Sequence, residues 1–122
     1  SLVQLEGLTF YGSPWQPEFN DWAFNLPAGS DQLMGKWEQI PGNRNVDVLL
    51  THGPALGILD TGLGCALLSK ELQRICPQVH AFGHIHEGYG TVEIGGTTYV
   101  NGSSCTLSYR PTNAPIVIEL EI

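Results

Sequence analysis

The sequence is poor in positive charge. Five Lys and Arg stand against 12 Asp and Glu, for a formal net charge of -7. No basic stripe exists to neutralise a phosphate backbone, which argues against nucleic-acid binding by charge. If a phosphate is handled, something other than side-chain cations must supply the positive field. Cysteine is also scarce: Cys65, Cys76 and Cys105 form an odd set without a C-x-x-C pair. That pattern does not fit a secreted disulfide framework, and reduced, mostly buried thiols in an intracellular, cytoplasmic protein are expected. No apolar stretch approaches the ~18 residues of a membrane-spanning helix, and no signal-peptide pattern opens the chain. No membrane association is expected. An initiator Met is missing too, and Ser1-Leu2-Val3-Gln4-Leu5 runs straight into strand-like sequence, so the chain is expected to begin inside a fold. Internal repeats and low-complexity segments are absent.

What is present describes one modest domain. The 122 residues are 42% hydrophobic and 14% charged, a globular balance. Fifteen glycines and eight prolines imply many turns and a strand-rich fold. Val3 and Leu5, then Leu8 and Phe10, alternate with polar residues around Glu6-Gly7, which predicts a hairpin. From Trp15 to Pro27 the chain is aromatic and irregular, with Pro14, Pro17 and Pro27 blocking a regular helix. Its aromatics either pin a loop onto the body or wall a ligand pocket.

Ser30-Asp31 is a fair N-cap for a short helix turning Leu33, Met34 and Trp37 inward, stopped by Pro41-Gly42. Val46-Asp47-Val48-Leu49-Leu50 is a near-continuous apolar run, the pattern of a strand buried on both faces. It ends in Thr51-His52-Gly53-Pro54, a loop where open α/β sheets place their ligands. Asp60 or Thr61 can cap a second helix, in which Cys65, Leu68, Leu72 and Ile75 form one apolar stripe ended by Pro77. The run Val79-His80-Ala81-Phe82 then reads as a strand. A right-handed crossover makes it parallel to the Val46 strand, which brings His52 and His84 to the same sheet edge. Thr91–Ile94 and Thr97–Val100 around Gly95-Gly96 form a further hairpin signal. Cys105–Tyr109 and an alternating run ending in Ile116, Ile118, Leu120 and Ile122 read as later strands.

His84 and His86, two residues apart between glycines, project to one face if the backbone is extended. Imidazoles at glycine-flanked loop ends suit a borderline transition metal. Surface or core histidines remain the competing reading, and for His80 a structural or surface role is favoured.

Thr51-His52-Gly53-Pro54 and Gly83-His84-Ile85-His86 resemble the last two signature motifs of the calcineurin-like metallophosphoesterases. Tyr11–Trp15, Asp21–Asn25, Val46–Pro54, Phe82–Gly90 and Thr98–Asn101 resemble the branch of metallophosphoesterase-domain proteins related to class III cyclic nucleotide phosphodiesterases. The resemblance covers nearly the whole chain but only the second half of the family's domain. It implies an α/β (α+β) fold over residues 1–122, the C-terminal half of a four-layer αββα sandwich, strand-rich with two short helices. It also implies two divalent metal ions (Mn, Fe, Zn or similar), with His52 and His84 on one and His86 on the other. The implied reaction is hydrolysis of a phosphoester, a cyclic nucleotide among the candidates, by a metal-activated hydroxide. Trp15, Glu87, Tyr89 and Asn101 are candidate substrate-pocket residues.

The family's earlier motifs, of the form Asp-x-His, Gly-Asp and Gly-Asn-His, are not in this sequence; Gly42-Asn43-Arg44 carries Arg where the His would stand. The bridging carboxylate that keeps two metals about 3.5–4 Å apart is thus missing, as is the expected proton-donor His. Alone, the chain is expected to be a poor catalyst that self-associates or binds a complementary N-terminal half. The alternatives are a non-catalytic protein-binding module with relic motifs, or a single-metal structural site made by the three histidines.

Overall fold

A computed structural model describes residues 2–17, 25–26, 29–42, 45–58, 64–83, 89–102, 116 and 118. It is a mixed α/β structure, strand-rich with two helices. The elements in chain order are β1 (Leu2–Leu5), β2 (Leu8–Ser13), β3 (Gln16–Pro17), β4 (Asn25–Leu26), α1 (Asp31–Glu38), β5 (Val48–Thr51), α2 (Ala66–Ile75), β6 (Val79–Phe82), β7 (Gly90–Ile94) and β8 (Thr97–Asn101). Six strands form one sheet in the order β1-β2-β5-β6-β8-β7, and β3 pairs with β4 separately.

The two hairpins of the sequence pattern are present and sit at the rims. β1 and β2 pair antiparallel, and the turn between them places Glu6 (φ 51) and Gly7 (φ 82) in the left-handed region. β7 and β8 pair likewise, around Gly95 (φ 59) and Gly96 (φ 86). Two left-handed central residues are what the type I′ two-residue hairpin turn requires. Between the rims, β2, β5, β6 and β8 run parallel. Their carboxyl ends therefore share one edge.

One face of the sheet is covered by the helices. Ser30 caps α1 by accepting a hydrogen bond from Leu33 N (3.2 Å), and Leu33 and Trp37 turn into the core. On α2 the stripe of Leu68, Leu72 and Ile75 is buried, packed with Leu49, Phe82 and Tyr99 of the sheet. The N-cap of α2 is Cys65, without a side-chain cap bond; the expected caps Asp60 and Thr61 lie outside the described residues. Arg74 ties the helices together, donating to Ile40 O (2.7 Å) and Trp37 O (3.2 Å).

Val48, Val79 and Val100 face the other way with Phe10, Ala81, Ile116 and Ile118 packed against them. This face corrects one expectation. Leu50 is 44% exposed, so β5 is not buried on both faces along its length. The helices cover the Leu49 side, whereas the Leu50 side is left partly open. No strand is assigned at Ile116 or Ile118; the rest of that expected strand, and Cys105–Tyr109, lie outside the described residues.

The edge where β5 and β6 begin is stapled by Asp47. Its carboxylate accepts from Thr9 N (2.8 Å) and from Gln78 Nε2 (3.2 Å). Its own backbone N–H donates to Thr9 O (2.9 Å), and its carbonyl accepts from Val79 N (3.0 Å). Thr98 N donates to Gln78 O (2.9 Å), carrying the connection to β8. No described helix is long and apolar enough to cross a membrane.

Candidate functional site

The candidate residues that are described, Trp15, His52, Tyr89 and Asn101, fall at the edge where the four parallel strands end. Register aligns Ser13 with Thr51, Leu50 with Ala81, and Phe82 with Asn101. The ladder continues one step past the strands: Gly83 N donates to His52 O (3.0 Å), and Gly102 N to Phe82 O (2.8 Å). His52 thus stands beside the point at which the chain runs into His84-Ile85-His86. Those two histidines, and Glu87, lie outside the described residues.

A short turn holds His52. Thr51 Oγ1 donates to Gly53 O (2.7 Å), closing the turn over the histidine. Farther along, Cys65 N donates to Pro54 O (2.9 Å) and Leu56 N to Cys65 O (3.1 Å), and the Ser69 hydroxyl donates to Leu56 O (2.9 Å). The loop is therefore sewn to the start of α2. His52 is exposed on its outer side, yet partial burial lowers its pKa. The neutral ring is favoured, the form in which histidine ligates a metal.

The remaining residues of the edge differ in exposure. Trp15, two positions beyond the end of β2, is half-buried against the core, with Lys36 Nζ 4.6 Å from its ring centroid. That cation–π contact and core packing agree with an aromatic that pins its loop. Phe19, Trp22 and Phe24 lie outside the described residues. Tyr89 is half-buried where the chain re-enters the described structure ahead of β7. Asn101 is fully buried, opposite Phe82 on one side and Gly90 on the other. It stands between the residues that flank the His84–His86 stretch.

His80, for which the sequence favours a structural or surface role, is structural. It is fully buried, and its Nε2 lies 2.9 Å from Thr51 Oγ1. Burial pulls its pKa down to about 3, so the ring is neutral at physiological pH. Position 80 alternates correctly for a core residue, but only the β5–β6 register reveals which side chain it meets. Among the described residues no group of three or more His, Cys, Asp or Glu is gathered that could hold a metal; of the expected trio, only His52 is described.

No family model matches the chain. Among curated proteins it is 52% identical over 127 residues to Metallophosphoesterase domain-containing protein 1 of Homo sapiens, an alignment covering 98% of this chain and 38% of that relative. It is 43% identical over 128 residues to a UPF0046 protein of Caenorhabditis elegans, covering 100% of this chain and 32% of the relative. A protein of Emericella nidulans named Probable rhamnogalacturonate lyase C is 42% identical over 86 residues, 68% of this chain but 8% of that relative. The chain thus spans well under half the length of the curated relatives it matches. With half of its residues identical to the human protein along nearly its whole length, the chain belongs to the metallophosphoesterase-domain family.

Proposed function

We propose that the chain is part of a metal-dependent phosphoesterase, with phosphodiesters of the cyclic-nucleotide class among its substrates. His52, His84 and His86 would hold two divalent ions such as Mn, Fe or Zn. The observation that best supports this is the Gly83 N to His52 O bond at 3.0 Å, which joins the end of β5 to the start of the His84–His86 stretch. Bound divalent ions supply Lewis acidity, an activated water and the positive charge that a chain of net charge -7 lacks.

The chain's own residues take separate duties. His52 offers a neutral imidazole lone pair from a braced turn. Tyr89, half-buried, is assigned to the phosphoester pocket, and Trp15, pinned on the core beneath Lys36, to its wall. Glu87 is assigned to the same pocket on its place in the sequence. Asn101 has no exposed surface, so its duty is to hold the edge from inside while the other residues touch the substrate. The proton donor lies outside this chain, which leaves the chain alone inactive.

Hydrolysis of bis(p-nitrophenyl) phosphate by the full-length protein tests this reading. Exhaustive chelation should abolish the reaction and Mn(II) should restore it, while the 122-residue chain at equal concentration should be slower by at least about a hundredfold. Hydrolysis that survives complete metal removal would sink the proposal. A protein that retains metal but never hydrolyses a phosphoester would favour a structural metal site.

We propose also that further chain of the same protein covers Leu50 and its half-buried neighbours Phe10 and Ala81, the open part of the face whose valines are already buried. Leu50 is 44% exposed there, and the human relative is far longer than this chain. Left open, a face of this kind drives association. In light scattering, the 122-residue chain should self-associate with rising concentration and the full-length protein should not. A cleanly monomeric short chain with cooperative unfolding would overturn this.

A further inference from the structure

The fully buried His80 is unused by the reading above, and a buried polar ring needs a reason. Its ring packs against Phe82 (centroids 5.0 Å, interplanar angle 50°) and edge-on to Tyr99 (5.8 Å, 78°). A leucine would fill such a space without burying a nitrogen. What histidine adds is its 2.9 Å contact to Thr51 Oγ1.

That contact fixes the tautomer. The Thr51 hydroxyl has one proton, and Gly53 O, 2.7 Å away, can only accept. The proton therefore lies on the bond to Gly53. The Thr51 oxygen must then accept from His80, which carries its proton on Nε2. His80 Nδ1 is the bare nitrogen, and it has no hydrogen-bond partner among the described residues. The result is a directed chain, His80 Nε2–H to Thr51 Oγ1–H to Gly53 O. It grips the residues on either side of His52.

We infer that His80 is a positioning residue for His52: the His80–Thr51–Gly53 chain sets the turn from which the His52 imidazole reaches a metal. The inference rests on the reading of His52 as a ligand. Groups that orient a metal ligand without touching the metal commonly change affinity by 10–100-fold when removed. Here the orientation is imposed through the ligand's backbone, from the neighbouring strand.

The experiment has two parts, both on the full-length protein. Imidazole 15N spectra should place the His80 proton on Nε2; a proton on Nδ1 would overturn the inference without any variant being made. Mn(II) titration should then separate the substitutions, with melting temperatures recorded in parallel. His80→Leu and Thr51→Val should each weaken Mn(II) binding by about 10–100-fold, even at temperatures where both are fully folded. The double variant should be little worse than either single one, because both break the same chain. Thr51→Ser, which keeps the hydroxyl, should bind within about threefold of wild type. Wild-type affinity in folded Thr51→Val, with His52→Ala impaired, overturns the positioning role alone. Unchanged affinity in His52→Ala as well removes the metal reading and this inference with it.

Discussion

Replacing His52 with alanine in the full-length protein should slow phosphodiester hydrolysis by at least about a thousandfold, some 4 kcal/mol of transition-state stabilisation. The fold should be nearly untouched. His52 is exposed, and substitutions at exposed positions usually change stability by about 0.5 kcal/mol or less. What its side chain adds is a neutral nitrogen at the end of β5, beside the run into His84 and His86. The turn itself stays closed through Thr51 and Gly53, whose bond does not involve the imidazole. Steady-state rates with saturating Mn(II), paired with thermal melts, check this. A rate within tenfold of wild type would remove His52 from the metal site, and a collapsed melt would show that its role is structural.

Gly64→Ala should destabilise the fold strongly. A Cβ there would overlap the carbonyl of Ala55 and stand 2.7 Å from Leu56 N. These are backbone atoms, so no rotamer change relieves the overlap. The same backbone carries the bonds between Pro54, Leu56 and Cys65 that sew the His52 loop to α2. Overpacking of this kind costs about 1–3 kcal/mol, and in a small domain about 3 kcal/mol lowers the melting temperature by more than about 10 °C. Gly35→Ala is the comparison: nothing lies within 4 Å of its Cβ position, and in the interior of α1 alanine should stabilise by about 0.5–1 kcal/mol. Differential scanning calorimetry of the two variants decides the matter. A Gly64→Ala melt within 2 °C of wild type, an allowance of about half a kcal/mol, would mean that the loop yields freely.

The elements built from near neighbours were legible in the sequence. Both hairpins follow from alternation interrupted by Glu6-Gly7 and Gly95-Gly96. The stripe of Leu68, Leu72 and Ile75 marks the buried side of α2, and one crossover argument makes β5 and β6 parallel. Elements that depend on distant partners were harder to read. Nothing in Leu8–Ser13 says that β2, besides its hairpin with β1, lies parallel to β5, because Phe10 meets Val48 only in the folded sheet. The exposure of Leu50 is equally invisible, since composition does not say which face a neighbouring layer covers. Among the candidate residues, His52 is placed by the sequence at the end of the apolar run that forms β5. The link from His80 to Thr51 is a matter of register between strands, and no spacing rule along one chain contains it.

The bonds of Asp47 join segments that are far apart in the chain. Its carboxylate bonds span 38 residues to Thr9 and 31 to Gln78. The rim hairpins close loops of a few residues and can form within about 1–10 μs, whereas the parallel centre must first close these long loops against chain entropy. The staple and the candidate site occupy opposite ends of the same four strands, so the site's geometry exists only after the slow pairings are made. A chain emerging from the ribosome N-terminus first reaches this state late. His52 is synthesised before β6 and β8, yet its neighbour Gly83 and the buried Asn101 belong to later segments. Until β8 docks, the end of β6 lacks the partner that aligns Phe82 with Asn101, and the edge that carries His52 has no fixed shape.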